Sequence, residues 1–328
     1  MRAGLPLTRV NMPAMVELSV PPVLRAMLVR LGPLSHQLVL TKHHILLDGW
    51  SLPILIRELM ALYAGDAALP RPVPYRDYLA WLAAQSRAEA LAAWDAALAG
   101  LEQPTRLTPA GVRHGASGGE PGHHGLELTA RLTAELTALA RRLGVTLNTL
   151  VQAAWAILLG RLTARDDVVM GITVAGRPPE IAGIEDMVGL FINTLPLRVR
   201  LPAMKPLDVL LAELQDGQSR LFAHQHIGLA ELQARAGLGE LFDTLVVFEN
   251  YPVDRAEPAV MPGGVRLARV SGHDATHYPL TLMAVPGERL ELRLDYATDL
   301  FDAATVSQIG ARLVRLLQAA VAGPQTPV

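Results

Sequence analysis

A chain of 328 residues can form one large domain or two ordinary ones, and with 51% of its residues hydrophobic it can bury a sizeable core. A formal net charge of −2 argues against a nucleic-acid binder, which carries a basic surface, and the lack of cysteine excludes disulfides, thiolate metal sites and a cysteine nucleophile. No stretch is apolar over the length of a bilayer span, and residues 1–20 are broken by Arg9, Asn11, Pro13 and Glu17, so neither a membrane segment nor a signal peptide is expected and the chain reads as cytoplasmic.

Residues 23–31 are apolar with Arg25 and Arg30 interposed, which suits a strand or a short helix; Gly32 and Pro33 then force a turn. Residues 36–41 predict a buried strand that runs into His43 and His44. Past Gly49 the period becomes helical: Leu52, Leu55, Ile56, Leu59 and Leu62 give one apolar face to a helix over 51–63. Pro70, Pro72 and Pro74 end that region, and 75–98 predicts one amphipathic helix carrying Trp81 and Trp94.

Residues 109–125 turn sharply to Gly, Pro, Ser and His, the composition of an exposed linker. The chain is accordingly divided into a first lobe over 1–108, a linker over 109–125 and a second lobe over 126–328. In the second lobe strands are expected at 126–128, 167–174, 191–199, 244–249 and 290–296, and helices at 130–143, 147–162, 207–223 and 303–322. Strands and helices mix without strict alternation, so the fold class is α+β, with two α/β lobes.

Chemistry concentrates in His43-His44-Ile45-Leu46-Leu47-Asp48-Gly49, at a strand-to-helix junction, where loop residues commonly carry function. Histidine titrates near neutrality and can accept a proton from an incoming nucleophile. Gly49 removes a side chain where the backbone turns or a substrate approaches closely. These residue types at these offsets would arise by chance in roughly 1 of 1,000 such chains. Two plainer readings compete. A histidine at a strand end is usually structural, and alternation points adjacent histidines to opposite faces, which fits His43. A zinc site would need a helical His-Glu-x-x-His pattern or an evident third ligand, and the sequence offers neither, so no metal is expected.

The run resembles the active-site motif of the condensation domains of nonribosomal peptide synthetases, within the superfamily of chloramphenicol acetyltransferase-like folds; Trp50-Ser51 extends the match. Further matches follow in the family's order: Tyr75-Arg76-Asp77-Tyr78, Gly176-Arg177-Pro178 ahead of Met187-Val188-Gly189-Leu190-Phe191-Ile192-Asn193-Thr194-Leu195-Pro196, His224-Gln225-His226, and Phe242-Asp243-Thr244 through Asn250-Tyr251-Pro252. The resemblance covers the chain from about Pro21 onward.

That resemblance implies two chloramphenicol acetyltransferase-like lobes with a tunnel between them, and amide formation between donor and acceptor thioesters. These thioesters ride on phosphopantetheine arms of peptidyl carrier proteins, with an adenylation domain as neighbour and no permanently bound cofactor. By the match His44 is catalytic, as base or as positioning group for the acceptor amine. His43 supports it, Asp48 holds the loop through a buried ion pair, and Gly49 lies beside the arm and lends a backbone N–H; the family's upstream arginine partner is missing, and among the residues present Arg177 is the candidate for Asp48. Trp50, Asn193 and Thr194 are expected at the tunnel, although Asn193 and Thr194 read equally well as strand residues that satisfy backbone groups. The segment 75–81 reads as packing, and the pair His123-His124 receives no role.

Epimerization domains share the core motif, but Gly189-Leu190-Phe191-Ile192-Asn193-Thr194-Leu195-Pro196 looks like a condensation domain's segment; heterocyclization domains carry paired aspartates instead. The remaining alternatives are a stand-alone acyltransferase of the superfamily and a non-catalytic docking remnant. Only 42 residues precede His43, and the family's upstream Ser-x-Ala-Gln and Arg-His-Glu-x-Leu-Arg segments are missing. Much of the first lobe is therefore expected to be absent, leaving apolar surface exposed on the 36–41 strand and the 51–63 helix and making the isolated chain a poor catalyst.

Overall fold

The computed structural model describes residues 23–65, 68–109, 121–249, 264–266, 268 and 276–327. Residues 1–22, most of the expected linker and the Asn250-Tyr251-Pro252 match lie outside these residues. Contacts divide the described residues into two compact units. Those up to Leu79, those in Pro178–Phe191 and those between Pro252 and Arg266 form one; those in Ala80–Arg177, Ile192–Tyr251 and Leu267–Val328 form the other.

The first unit opens with a hairpin of β1 (Leu24–Gly32) and β2 (Ser35–Lys42), turning where Gly32 and Pro33 require it. Its register places Leu28 opposite Leu38 and Ala26 opposite Leu40. The 36–41 strand is present but not buried, which corrects the sequence reading. Met27, Val29, Gln37 and Val39 are half-shielded, while Leu28 and Leu38 on the opposite face are 68% and 42% exposed. A two-stranded sheet has two faces, and here only one is screened. Helix α1 (Ser51–Tyr63) follows, with Ser51 and Ile54 buried and Leu59, Leu62 and Tyr63 exposed.

The helix expected over 75–98 is two: α2 (Tyr75–Ala83) and α3 (Arg87–Leu98). Ser86 breaks the run. It takes extended geometry, and its hydroxyl accepts the N–H of Glu89, an N-cap whose Ser-x-x-Glu signature was there to read.

The second unit is built on a six-stranded mixed sheet in the order β3-β8-β7-β6-β4-β5. β3 (Gly122–Glu127) precedes α4 (Ala130–Leu143) and α5 (Leu147–Thr163), then β4 (Asp167–Val174) and β5 (Asn193–Arg200). Next come α6 (Leu207–Leu221), α7 (Leu229–Ala236), β6 (Thr244–Phe248), β7 (Leu280–Val285), β8 (Glu291–Tyr296) and α8 (Ala303–Ala322). β4–β6 and β6–β7 pair in parallel, the other neighbours antiparallel. Caps fix the helix ends: Thr129, Thr146 and Asp302 each accept a first-turn N–H, and Gly144 closes α4 at φ 68°.

α5 is apolar on every side and is the centre of the core, with Trp155 and Leu159 fully buried against neighbours that include α6 and α8. Among the described residues no single helix is long and apolar enough to cross a membrane; α4 and α5 together would pass by composition, but they meet at 101° and α5 is the core helix.

The contact units and the boundary read from composition run differently. α3 lies before the expected linker, yet Ala90, Leu91 and Trp94 belong to the second unit's core. β3 begins at Gly122, inside the segment expected to be linker, because Gly122–Glu127 pairs residue for residue with β8. Pro178–Phe191, between β4 and β5, belongs to the first unit.

Candidate active site

The histidine run leaves β2 at Lys42. The His43 N–H donates to Val23 O at 3.1 Å, and the His43 Nδ1 accepts the N–H of Ile45 at 3.1 Å. His43 thereby caps a short 3-10 turn, His44–Leu46, and carries its proton on Nε2 when neutral. His44 is the first residue of that turn and is half-buried. Leu47 and Asp48 are buried, and Gly49-Trp50 turns the chain into α1.

Asp48 is fully buried, and its carboxylate gathers donors. Oδ1 accepts the Ser51 N–H at 3.0 Å and the Ser51 hydroxyl at 2.8 Å; Oδ2 accepts the Phe191 N–H at 3.2 Å. An anion at the first N–H of α1 also meets the positive end of the helix.

The segment Gly189-Leu190-Phe191 is laced to this turn. Gly189 O accepts the Asp48 N–H at 3.0 Å, and the Gly189 N–H donates to Ser51 Oγ at 3.1 Å. The Tyr75 hydroxyl donates to Leu190 O at 2.5 Å; the rings of Tyr75 and Tyr78 meet Phe191 edge-on at 5.1 and 4.7 Å between centroids and are tilted to each other at 5.5 Å. Burial, with Tyr75 beside it, pushes the Tyr78 phenol up from its ordinary value. Residue 189 must be glycine: a Cβ there would lie 2.2 Å from the Tyr75 ring. At the surface Arg57 pairs with Asp186 at 2.8 Å.

His43, His44, Asp48, Gly49 and Trp50 thus share one turn of the first unit, while Asn193, Thr194 and Arg177 belong to the second. Asn193 opens β5, and its Nδ2 donates to Gln225 O at 2.8 Å and Ile227 O at 2.7 Å. Those bonds clamp the loop carrying His224-Gln225-His226. Trp94 Nε1 adds a bond to His224 O at 2.8 Å, and Trp81 meets the His226 ring edge-on. Thr194 pairs with Thr173 across β4 and β5, and Arg177 is half-buried beyond β4. His123 bonds Asp295 at 2.7 Å across β3 and β8.

The sequence reading passed over two polar groups. Ser51 extends the motif in sequence, and in the structure its N–H and hydroxyl both bond Asp48 Oδ1. Tyr75 was read as packing, which it does, but nothing in a single sequence marks a backbone carbonyl 115 residues away as the partner of its hydroxyl.

The chain matches the family model of the condensation domain over residues 9–328. A component of the linear gramicidin synthase of Brevibacillus parabrevis is 39% identical over 320 residues, which is 94% of this chain and 6% of that protein. Bacitracin synthase 3 of Bacillus licheniformis is 35% identical over 310 residues, or 92% of this chain and 5% of that protein. The chain therefore spans a small part of the length of these relatives. The crystal structure of the X-domain from teicoplanin biosynthesis superposes with a TM-score of 0.81 at 26% identity, over 95% of this chain and 75% of that one. A complex of the X-domain and OxyB gives 0.79 at 25% identity, over 95% and 73%.

The fold is that of an α+β protein of chloramphenicol acetyltransferase-like architecture. Within that class the chain belongs to the condensation-domain family of the nonribosomal peptide synthetases, whose reaction is amide-bond formation between carrier-bound substrates.

Proposed function

We propose that this chain forms the amide bond between a donor acyl or peptidyl thioester and an acceptor aminoacyl thioester, each held on the phosphopantetheine arm of a carrier protein. The observation that carries the reading is His44 at the head of a turn whose base is locked by a fully buried carboxylate. The acceptor amine attacks the donor carbonyl, the thiolate leaves, and the amine must give up a proton. The His44 imidazole takes it, or orients the amine to lose it. His43 cannot share the role through Nδ1, which already accepts the Ile45 N–H. Gly49 and Trp50, and from the second unit Asn193 and Thr194, are the proposed walls of the substrate path. Donor and acceptor carriers and an adenylation domain are the proposed partners, in the cytoplasm.

The test is dipeptidyl-thioester formation by the purified protein with two loaded carriers. His44→Ala is expected to lower the rate about 10²- to 10⁴-fold, the worth of general acid–base help, and His43→Ala less. A His44→Ala protein at the parental rate would overturn the assignment. A second reading, a partner-docking module without turnover, draws support from the X-domain solved in complex with OxyB. Under that reading the parent binds a partner and makes no dipeptide.

A further inference from the structure

The hydrogen bonds around Ser51 form a closed ring with a fixed direction. One hydroxyl has one proton to give, and Ser51 Oγ stands 2.8 Å from Asp48 Oδ1 and 2.9 Å from Gly189 O. The carboxylate is the stronger acceptor, and Gly189 O is already served by the Asp48 N–H. The proton therefore goes to Asp48, and Oγ turns its lone pair to the Gly189 N–H at 3.1 Å. The circuit reads Asp48 N–H to Gly189 O, Gly189 N–H to Ser51 Oγ, Ser51 O–H to Asp48 Oδ1. Ser51 and Asp48 are both fully buried, so water cannot stand in for the hydroxyl without a shift of the backbone.

We propose that Ser51 is a positioning residue for the reaction: by closing this ring it fixes the level of Asp48, and with it the three-residue turn that begins at His44. The inference rests on the reading of His44 as the reacting histidine. Ser51 itself touches no substrate in this scheme. Its loss leaves the Gly189 N–H without an acceptor and takes one donor from Asp48. A displacement of the turn by about 1 Å is enough to cost about 10²-fold in rate. Tyr75 belongs to the same device, because its hydroxyl holds Leu190 O, one residue from Gly189.

The test compares Ser51→Ala, His44→Ala and the double variant in dipeptide formation, with thermal melting of each. Ser51→Ala is expected to lower kcat about 10- to 100-fold while KM for the acceptor carrier stays within about twofold. In the His44→Ala background, followed over long incubations, the same substitution is expected to cost nothing further, since the group it positions is gone. Equal losses in both backgrounds would mean that Ser51 merely supports the fold, and would overturn the proposal. So would a Ser51→Ala protein at the parental rate while His44→Ala is impaired. An unimpaired His44→Ala, or a parent without turnover, sinks the reading of the site and this inference with it, an outcome distinct from the other two. Should Ser51→Ala fail to fold, Tyr75→Phe keeps the ring packing and removes only the Leu190 bond; it carries the same expectation of a kcat loss that vanishes without His44, and the same grounds for rejection.

Discussion

Asp48 carries a charge into a fully buried position, where the Ser51 N–H and hydroxyl and the Phe191 N–H soften the cost of burial. The ion pair with Arg177 proposed from sequence would add a countercharge. A double-mutant cycle on Asp48→Asn and Arg177→Gln measures it: a coupling of about 1 kcal/mol or more in thermal stability is expected for a pair of this kind, and additive losses would show that the two act separately. His226 poses the opposite problem. Neither ring nitrogen has a well-formed hydrogen bond, and burial pushes the imidazole's pKa down, an effect eased by the Ala223 carbonyl and reinforced by His224. A folded value below the unfolded one, about 6.5, means that the folded state prefers neutral His226. Its stability is complete above the unfolded value and is lost as pH falls through the window beneath it. Melting at pH 7.5 and 5.5 should show a larger drop for the parent than for His226→Gln; equal drops would remove His226 from the acid sensitivity. At this scale the sequence was legible where a residue's partners are close in the chain, as in the turn from His43 through Asp48 to Ser51. It was silent where a partner is remote, as for Tyr75 and for the Asn193 clamp on Gln225 and Ile227.

Among the elements, strong periodicity read true and isolated apolar runs did not. β4 and α8 lie where the pattern put them, since eight residues of Val-rich strand and twenty residues of amphipathic helix leave little choice. β7 and α7 went unread, the first short and the second eight residues long. The 36–41 strand shows why burial is harder to read than conformation: alternating Leu38 and Leu40 specify a strand with an apolar face but say nothing of what covers it. Here Leu28 and Leu38 face each other across the hairpin on the exposed side, beside Leu24 and Leu40. Such a patch on a two-stranded sheet invites association. Leu28→Lys with Leu38→Glu puts opposite charges at paired positions. The double variant is expected to stay monodisperse in light scattering at concentrations where the parent self-associates, with melting temperature unchanged. Equal self-association in both would show that the hairpin face is not what the parent aggregates through.

For the molecule as a whole, composition and contacts draw the seam in different places, and the reason is physical. Gly, Pro and Ser mark where a chain is exposed, whereas a unit is defined by what its side chains bury. Residues 109–125 look like the border, yet α3 upstream of them buries Ala90, Leu91 and Trp94 in the second unit, and Thr105 bridges to Phe242 with its hydroxyl accepting the Val169 N–H. Asp243 adds a second tie, accepting the N–H groups of Leu107 and Thr108. A fragment over 126–328, the second lobe as composition draws it, would lack all of these. Truncating one buried tryptophan such as Trp94 costs about 3 to 5 kcal/mol, against a total of about 5 to 15 kcal/mol for a whole domain. Losing the helix, the Thr105 bridge and both donors to Asp243 together removes more than such a fold can spare. A fragment over 80–328 keeps them. The longer fragment is therefore expected to melt cooperatively and resist limited proteolysis, while the shorter one is digested from its amino-terminal side and melts broadly or not at all. Equal resistance of the two would show that α3 is an appendage to the second unit and not part of its core.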